Sequence, residues 1–268
     1  HLSIRRQRQM CIRDRINMKS LFLTDKKTRQ ALAHLVNIDE LISVVKYGEA
    51  EKIIGPIHPS KSKAYNDNIK PYSYDPELSK KLLKEAGWEN TNGDATLDKV
   101  FNGKRKEFII DLIINSGNDE RKSIALMFQE QAKKIGITVN VLSIDWAVFL
   151  GKCNKHEFDI VIGKWVTAAS PDDLTQNYHS KSIVDGGSNY SNFSNAVLDS
   201  LIETTRREID ADKRNILYRK CQEILHEEVP MIFLYTPLEH IAISKKFENA
   251  YPSVARPGYW IPGFKLKK

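Results

Sequence analysis

Apolar positions recur along this chain with two different periods, and the change of period marks its elements. Ala31, Leu32, Leu35 and Val36 fall on one side of a helix, with Thr24 or Asp25 placed to cap its first turn. Leu41, Ile42, Val44 and Val45 repeat the pattern after Asp39, and Gly48 supplies a stop. Asp75-Pro76-Glu77 combines a capping carboxylate, a proline at the first helical position and an acid near the positive end of the helix. Leu78, Leu82, Leu83 and Ala86 carry that helix to Gly87. The same spacing predicts helices over 119–135, 196–209 and 211–228, with a short one from Asp145 to residue 150. Other runs read as strands: 108–114, rich in isoleucine; 137–144, alternating; 158–162; and 231–235 behind Pro230. Residues 240–243 are expected to pair back on 231–235 as a hairpin.

Two segments escape both periods. Residues 55–74 hold Pro56, Pro59 and Pro71 among small and polar residues and read as a long surface loop. Residues 167–195 are dense in Ser, Asn, Asp and Gly. A connector of that length is a candidate binding segment. The tail from Tyr251 carries Pro252, Pro257 and Pro262 and is expected to be irregular. Strand, helix and strand over 108–144 form a βαβ crossover, so part of the sheet is parallel and the class is α/β.

Composition adds a core but no membrane span. With 268 residues, 41% hydrophobic and 28% charged, the chain can bury a real core as one large domain or two small ones. No apolar run approaches the roughly 20 residues that cross a bilayer, and the N-terminus lacks the apolar stretch of a signal peptide. Charge is uneven: five arginines against Asp14 alone give residues 1–15 a net +4 of the chain's +7. Met10-Cys11-Ile12-Arg13-Asp14-Arg15 also resembles the translation of a transposon sequencing adaptor. Residues 1–17 are therefore expected to be a non-native or artefactual leader; the alternative is a natural basic tail for nucleic acid or acidic lipid.

Motifs for catalysis are missing. The chain has no HExxH, GxSxG, P-loop or GxGxxG after a strand. His226-Glu227-Glu228 lacks a second histidine one turn on. Asp172-Asp173 with His179 offers an acid–base set, weighed against plain helix capping. Asn90, Asn92 and Asp94 around Gly93 faintly resemble a calcium loop, weighed against an Asn-Gly turn. Lys104-Arg105-Lys106 reads as a solvated turn rather than a phosphate clamp. Cys153 and Cys221 share no CxxC spacing, which disfavours a zinc or redox motif; a disulfide between them and two buried thiols both stay open. Arg29 is expected to form a structural ion pair, and Tyr235 to sit in either core or cleft.

Five blocks in order carry a resemblance. They are Asp25-Lys26-Lys27-Thr28-Arg29-Gln30-Ala31-Leu32 followed by Asn37-Ile38-Asp39; Tyr74-Asp75-Pro76 with Leu82-Leu83-Lys84-Glu85-Ala86-Gly87-Trp88; Ile135-Gly136-Ile137-Thr138-Val139; Phe158-Asp159-Ile160 with Trp165 and Pro171-Asp172; and Pro230-Met231-Ile232-Phe233-Leu234-Tyr235. Together they resemble the peptide-type extracytoplasmic solute-binding proteins of ABC importers. The resemblance implies a two-lobed, periplasmic-binding-protein-like receptor, exported and often a lipoprotein, of which this chain is the second lobe. Its sheet would be mixed and flanked by helices, over 18–243, with 244–268 returning to a first lobe that precedes the chain.

The resemblance also implies a ligand segment: Trp165, Val166, Thr167, Ala168, Asp172, Asn189 and Tyr190. In members selective for free peptides, an aspartate three residues after the matching tryptophan pairs with the ligand's amine. Ala168 stands there, and Ile162 and Cys153 stand where peptide-binding arginines would be sought. Trp165 offers an apolar platform, and Gly186-Gly187-Ser188-Asn189-Tyr190 could present backbone N–H groups and an amide. The expected partners are a peptide or similar oligomeric ligand and the permease subunits of an ABC importer, with the receptor a monomer. No catalysis, cofactor, metal or nucleic acid is expected. A ligand sensor or enzyme on the same fold is the alternative, and a basic nucleic-acid-associated protein a third.

Overall fold

A computed structural model of the chain describes residues 2–8, 10–166, 172–184, 187–251 and 259–267. Strands β1 (Leu2–Arg8) and β2 (Met10–Ile16) come first, then helices α1 (Lys26–His34) and α2 (Ile38–Lys46), and the short β3 (Ala50–Lys52). Helix α3 (Pro76–Glu85) precedes a hairpin of β4 (Asp98–Phe101) and β5 (Lys104–Glu107). The crossover follows as β6 (Ile109–Asn115), α4 (Asp119–Lys133) and β7 (Thr138–Ile144). Then come α5 (Trp146–Asn154), β8 (Ile160–Val166), the single turn α6 (Thr175–Tyr178), α7 (Ala196–Arg207), α8 (Ala211–Glu228) and the long β9 (Met231–Ser244). A small hairpin, β10 (Phe247–Glu248) with β11 (Lys265–Leu266), ends the chain. Among the described residues no helix is long and apolar enough to cross a membrane.

One mixed sheet organises the molecule, in the order β1-β9-β2-β8-β6-β7, with β3 on β9. The pairs β6–β7 and β6–β8 are parallel and the rest antiparallel. Alternate residues of each strand face opposite sides, and both sides are covered. Ile110, Leu112, Ile114, Ile160, Ile162, Ile232 and Leu234 face the core under α1–α4. Met231 and Phe233 face a second core under α7 and α8, and Ile113 and Val161 a third under α5. Two-sided burial explains why these strands read as continuous apolar runs.

Local signals set the helix starts. Asp25, Asn37, Asp75, Asn118, Asp145, Asn195 and Asp210 each accept a backbone N–H of the first turn. In the second helix Asn37 is the cap, two residues before the expected Asp39. Arg29 is buried, as a structural residue: its guanidinium donates to the carbonyls of Glu228, Leu23 and Thr24 and lies 3.6 Å from the Glu228 carboxylate. Cys153 and Cys221 are free thiols in separate cores.

One expectation differs from what the structure shows. Residues 231–244 form one strand rather than a hairpin, because β9 already has β1, β2 and β3 as ladder partners and Pro237 sits where the pairing passes from β2 and β3 to β1. Residues 2–8 and 10–16, inside the segment read as a non-native leader, supply β1 and β2. Between β8 and β9 an empty slot would leave two rows of backbone N–H and C=O groups unpaired in the middle of the sheet, and β2 fills it. The fit is imperfect: Asp14 is buried, and its Oδ1 has no hydrogen-bond partner.

Candidate functional site

The parallel strands β6, β7 and β8 end on one edge of the sheet, at Asn115, Ile144 and Val166. In open α/β sheets ligands bind outside this edge. Two helices begin there. Asn118 caps α4 by accepting from the Arg121 N–H, and Asp145 caps α5 by accepting from Ala147. The N-terminal turn of α4, the inner face of α5 and the end of β8 enclose a cavity of about 140 Å³.

Its walls are mostly apolar. Phe149 and Cys153, one turn apart on α5, are buried, and Leu150 is half-buried beside them. The Trp146 ring stacks on Phe149 with centroids 5.4 Å apart and an interplanar angle of 14°. Val161 and Gly163 of β8 share one face, and a Cβ added at Gly163 would meet open space. Tyr190 closes one side, with Arg15 stacked 4.7 Å over its ring. Burial pushes the Cys153 thiol up to about 11, although Arg15 and Arg121 pull the other way. The thiol is thus an inert wall rather than a nucleophile.

The polar rim holds Lys164 of β8 and, on the α4 side, Arg121. Its Nη1 donates to Asn115 Oδ1 at 2.5 Å, and its guanidinium lies 5.7 Å from the Phe149 ring centre. Among the described residues no carboxylate forms an ion pair with it. Its neighbour Glu120 is engaged elsewhere, 3.2 Å from Lys46 and 2.9 Å from the Tyr235 hydroxyl. Burial draws the Arg121 pKa below its ordinary value, yet a guanidinium stays charged at any working pH.

Backbone anchors hold Tyr190 in place. His156 presents both ring nitrogens to carbonyls, Nδ1 at 3.0 Å from Tyr190 and Nε2 at 3.1 Å from Ile183. Asn17 Nδ2 donates to the carbonyls of His156 and Phe158, and its Oδ1 accepts from Asn192.

Of the described side chains expected to meet ligand, Tyr190 alone lies in the cavity wall. Asn189 is fully buried, and its amide closes its own turn: Nδ2 donates to the carbonyls of His179 and Phe193, and Oδ1 accepts from the Phe193 N–H. Asp172 is tied to Lys61 at 2.6 Å, away from the cavity. Trp165 and Val166 are the last residues of β8, their backbone paired with Cys11 and Met10; their side chains, with Thr167, Ala168 and Gly186, lie outside the described residues.

The other candidates resolve into structure. Asp173 accepts from Thr175, while His179 sits between Asp199 and Glu203 at 3.4 Å from each, so no acid–base set forms with Asp172. Asn90 accepts from the Gly93 N–H in a turn, and no cluster of metal-ligating side chains exists among the described residues. Tyr235 is core.

The sequence reading missed Arg121, Trp146 and Phe149. One signal was present. A cation in the first turn of a helix opposes the helix dipole, and Arg121 stands there directly after Asp119 and Glu120.

Comparison with known proteins places this geometry in context. Residues 8–186 match the profile of the bacterial extracellular solute-binding proteins, family 5, middle part. The oligopeptide-binding protein AppA of Bacillus subtilis is 33% identical over 236 residues, which cover 87% of this chain and 42% of that protein. The dipeptide-binding protein of Escherichia coli is 30% identical over 223 residues, 81% of this chain and 38% of that one. The structure of B. subtilis AppA in complex with a nonapeptide superimposes with a TM-score of 0.86 at 31% identity, over all of this chain and 53% of that one. An oligopeptide-binding protein from Thermus thermophilus, complexed with a pentapeptide, gives 0.82 at 26% identity over 96% of this chain and 46% of that one. The chain thus spans about half the length of these relatives, or less.

Proposed function

The chain belongs to the family 5 bacterial extracellular solute-binding proteins, and from that premise we propose that it forms the ligand-binding half of a receptor that delivers oligopeptides, or similar oligomeric solutes, to an ABC importer. The observation that carries the reading is the cavity at the C-terminal edge of β6 and β8. It is open on one side, walled by Trp146, Phe149 and Tyr190, and rimmed by a guanidinium without a carboxylate partner among the described residues. Such a surface binds and orients; its thiol is held protonated, and among the described residues no acid and base are paired in its wall.

Residues 18–243 act as one lobe of the receptor, and 244–268 return toward the other. Exposed apolar side chains on that last segment, Tyr251, Trp260, Ile261 and Leu266, are suited to a covering surface. Capture proceeds by closure of two lobes over the ligand, and the closed form is what the permease reads. The working location is extracytoplasmic, and the complete receptor is a monomer anchored as a lipoprotein or free in the periplasm.

Ligand-observed saturation-transfer NMR on the chain, with a pool of peptides of mixed sequence, tests the reading, since the method registers the weak binding expected of a single lobe. Transfer to peptides and none to a pool of simple sugars is the expected result. No transfer to any peptide would overturn it.

A further inference from the structure

We infer that His156 is a positioning residue of the ligand cavity that works as an imidazolium: it donates to the Tyr190 and Ile183 carbonyls together, so the cavity wall is held most firmly at acidic pH. This rests on the peptide-receptor reading above and adds to it a dependence of ligand capture on pH.

The hydrogen bonds argue for the charge. The two ring nitrogens lie 3.0 Å from the Tyr190 oxygen and 3.1 Å from the Ile183 oxygen. A carbonyl only accepts, and a neutral imidazole carries a single N–H. In either neutral tautomer, one contact is a lone pair facing a lone pair. Turning the ring over would put carbons where the nitrogens stand and lose both bonds. The doubly protonated ring satisfies both carbonyls, and hydrogen bonds from a charged donor are the stronger kind.

Placement in the chain argues the same way. Helix α5 ends in a Schellman turn, with the Glu157 N–H donating to the Lys152 carbonyl at 2.9 Å and the His156 N–H to that of Cys153 at 3.2 Å. His156 takes the left-handed position of this turn, with a φ of 57°, where glycine is usual. The C-terminal end of a helix favours a cation. The elements packed around the ring carry Lys152, Lys155 and Glu157 on its own turn, Lys19 after β2, Asp159 ahead of β8, Lys181 in the 3₁₀ turn Ser180–Ile183, and Arg15 over the Tyr190 ring. Asp159 is taken up by the Ser20 hydroxyl and the Asp111 N–H. Among the described residues no carboxylate forms an ion pair with His156, so the carbonyls answer its charge.

The consequence falls on the cavity. Phe149 and Cys153 line it from α5, and Tyr190 closes it from another segment. His156, at the end of α5, ties these two walls together. Loss of a proton removes one of its two bonds, and a site ordered for less of the time binds more weakly in proportion.

Ligand-observed NMR at pH 5.5 and pH 8 tests this, on the 268-residue chain and on His156→Gln, whose side chain does not titrate. The probes are N-acetylated peptides lacking Asp, Glu and His, in which no group changes charge over that range. Nitrogen-15 shifts of the imidazole, assigned by their loss in the variant, report the charge directly. Both ring nitrogens should be protonated at pH 5.5, and wild-type affinity should fall about fivefold by pH 8, the step expected from one lost hydrogen bond. His156→Gln should bind at the weaker level at both pH values. A merely structural histidine would leave the wild type flat. Unchanged wild-type affinity, a fall that persists in the variant, or a neutral ring at pH 5.5 overturns the inference. If peptides still bind in any of those cases, the receptor reading stands and this assignment alone fails; if no peptide binds at either pH, both fall.

Discussion

Asp14 shows how far one side chain can disagree with its surroundings. Burial raises its carboxyl from the ordinary value of 3.8 to about 8, with Oδ1 unpartnered. The folded chain therefore keeps a proton that the unfolded chain releases near pH 4. Stability is greatest below that and falls as pH rises toward 8, by up to about 1.4 kcal/mol per unit, and then levels off. Urea midpoints at pH 5 and pH 8 should show this loss, and Asp14→Val should flatten it; an unchanged slope in the variant would place the titrating group elsewhere. The same scale shows what the sequence concealed. Asn189 reads as a ligand amide from composition, but its donors and acceptor close a turn between residues 179 and 193, partners that no local pattern reveals. Arg121 reads as one more surface charge on an amphipathic helix, and becomes a rim residue only when α4 and α5 start at the same edge of the sheet.

Elements were legible where their signal is local. Helix α3 follows from Asp75-Pro76-Glu77 alone, and the structure has Asp75 Oδ1 accepting from the Leu78 N–H at 2.9 Å with Pro76 at the first position. Asp75→Ala should lower stability by about 1 kcal/mol, read as a shift in the thermal midpoint, while Asp75→Asn should recover most of it. An equal loss in both would mean that the carboxylate acts by charge rather than as a cap. The parallel crossover of β6, α4 and β7 was legible for a similar reason, since the period changes twice within 36 residues. The hairpin of β4 and β5 was not, because its strands are four residues each and β5 is wholly exposed. Strand β9 misled because a proline in a strand signals a break, whereas Pro237 marks a change of partner.

At the scale of the molecule, the sheet and its three cores are self-contained and the tail is not. Beyond Ser244 the β10–β11 hairpin packs mainly on itself, through Phe247, Tyr259 and Phe264, and leaves Trp260 69% exposed. Deleting 245–268 should therefore shift the thermal midpoint by only a few degrees and reduce binding of an apolar dye; a large fall in the midpoint would show that the tail is part of the core. How the tail is attached has a mechanical side. A hairpin would have returned Ser244 beside Tyr235 and left slack in the chain. As one extended strand, β9 sets those residues about 30 Å apart and behaves as a strut: a pull along its axis loads its antiparallel ladders in shear, with many bonds sharing the force instead of peeling apart in turn. Displacement at the tail is then transmitted undiminished to the centre of the sheet.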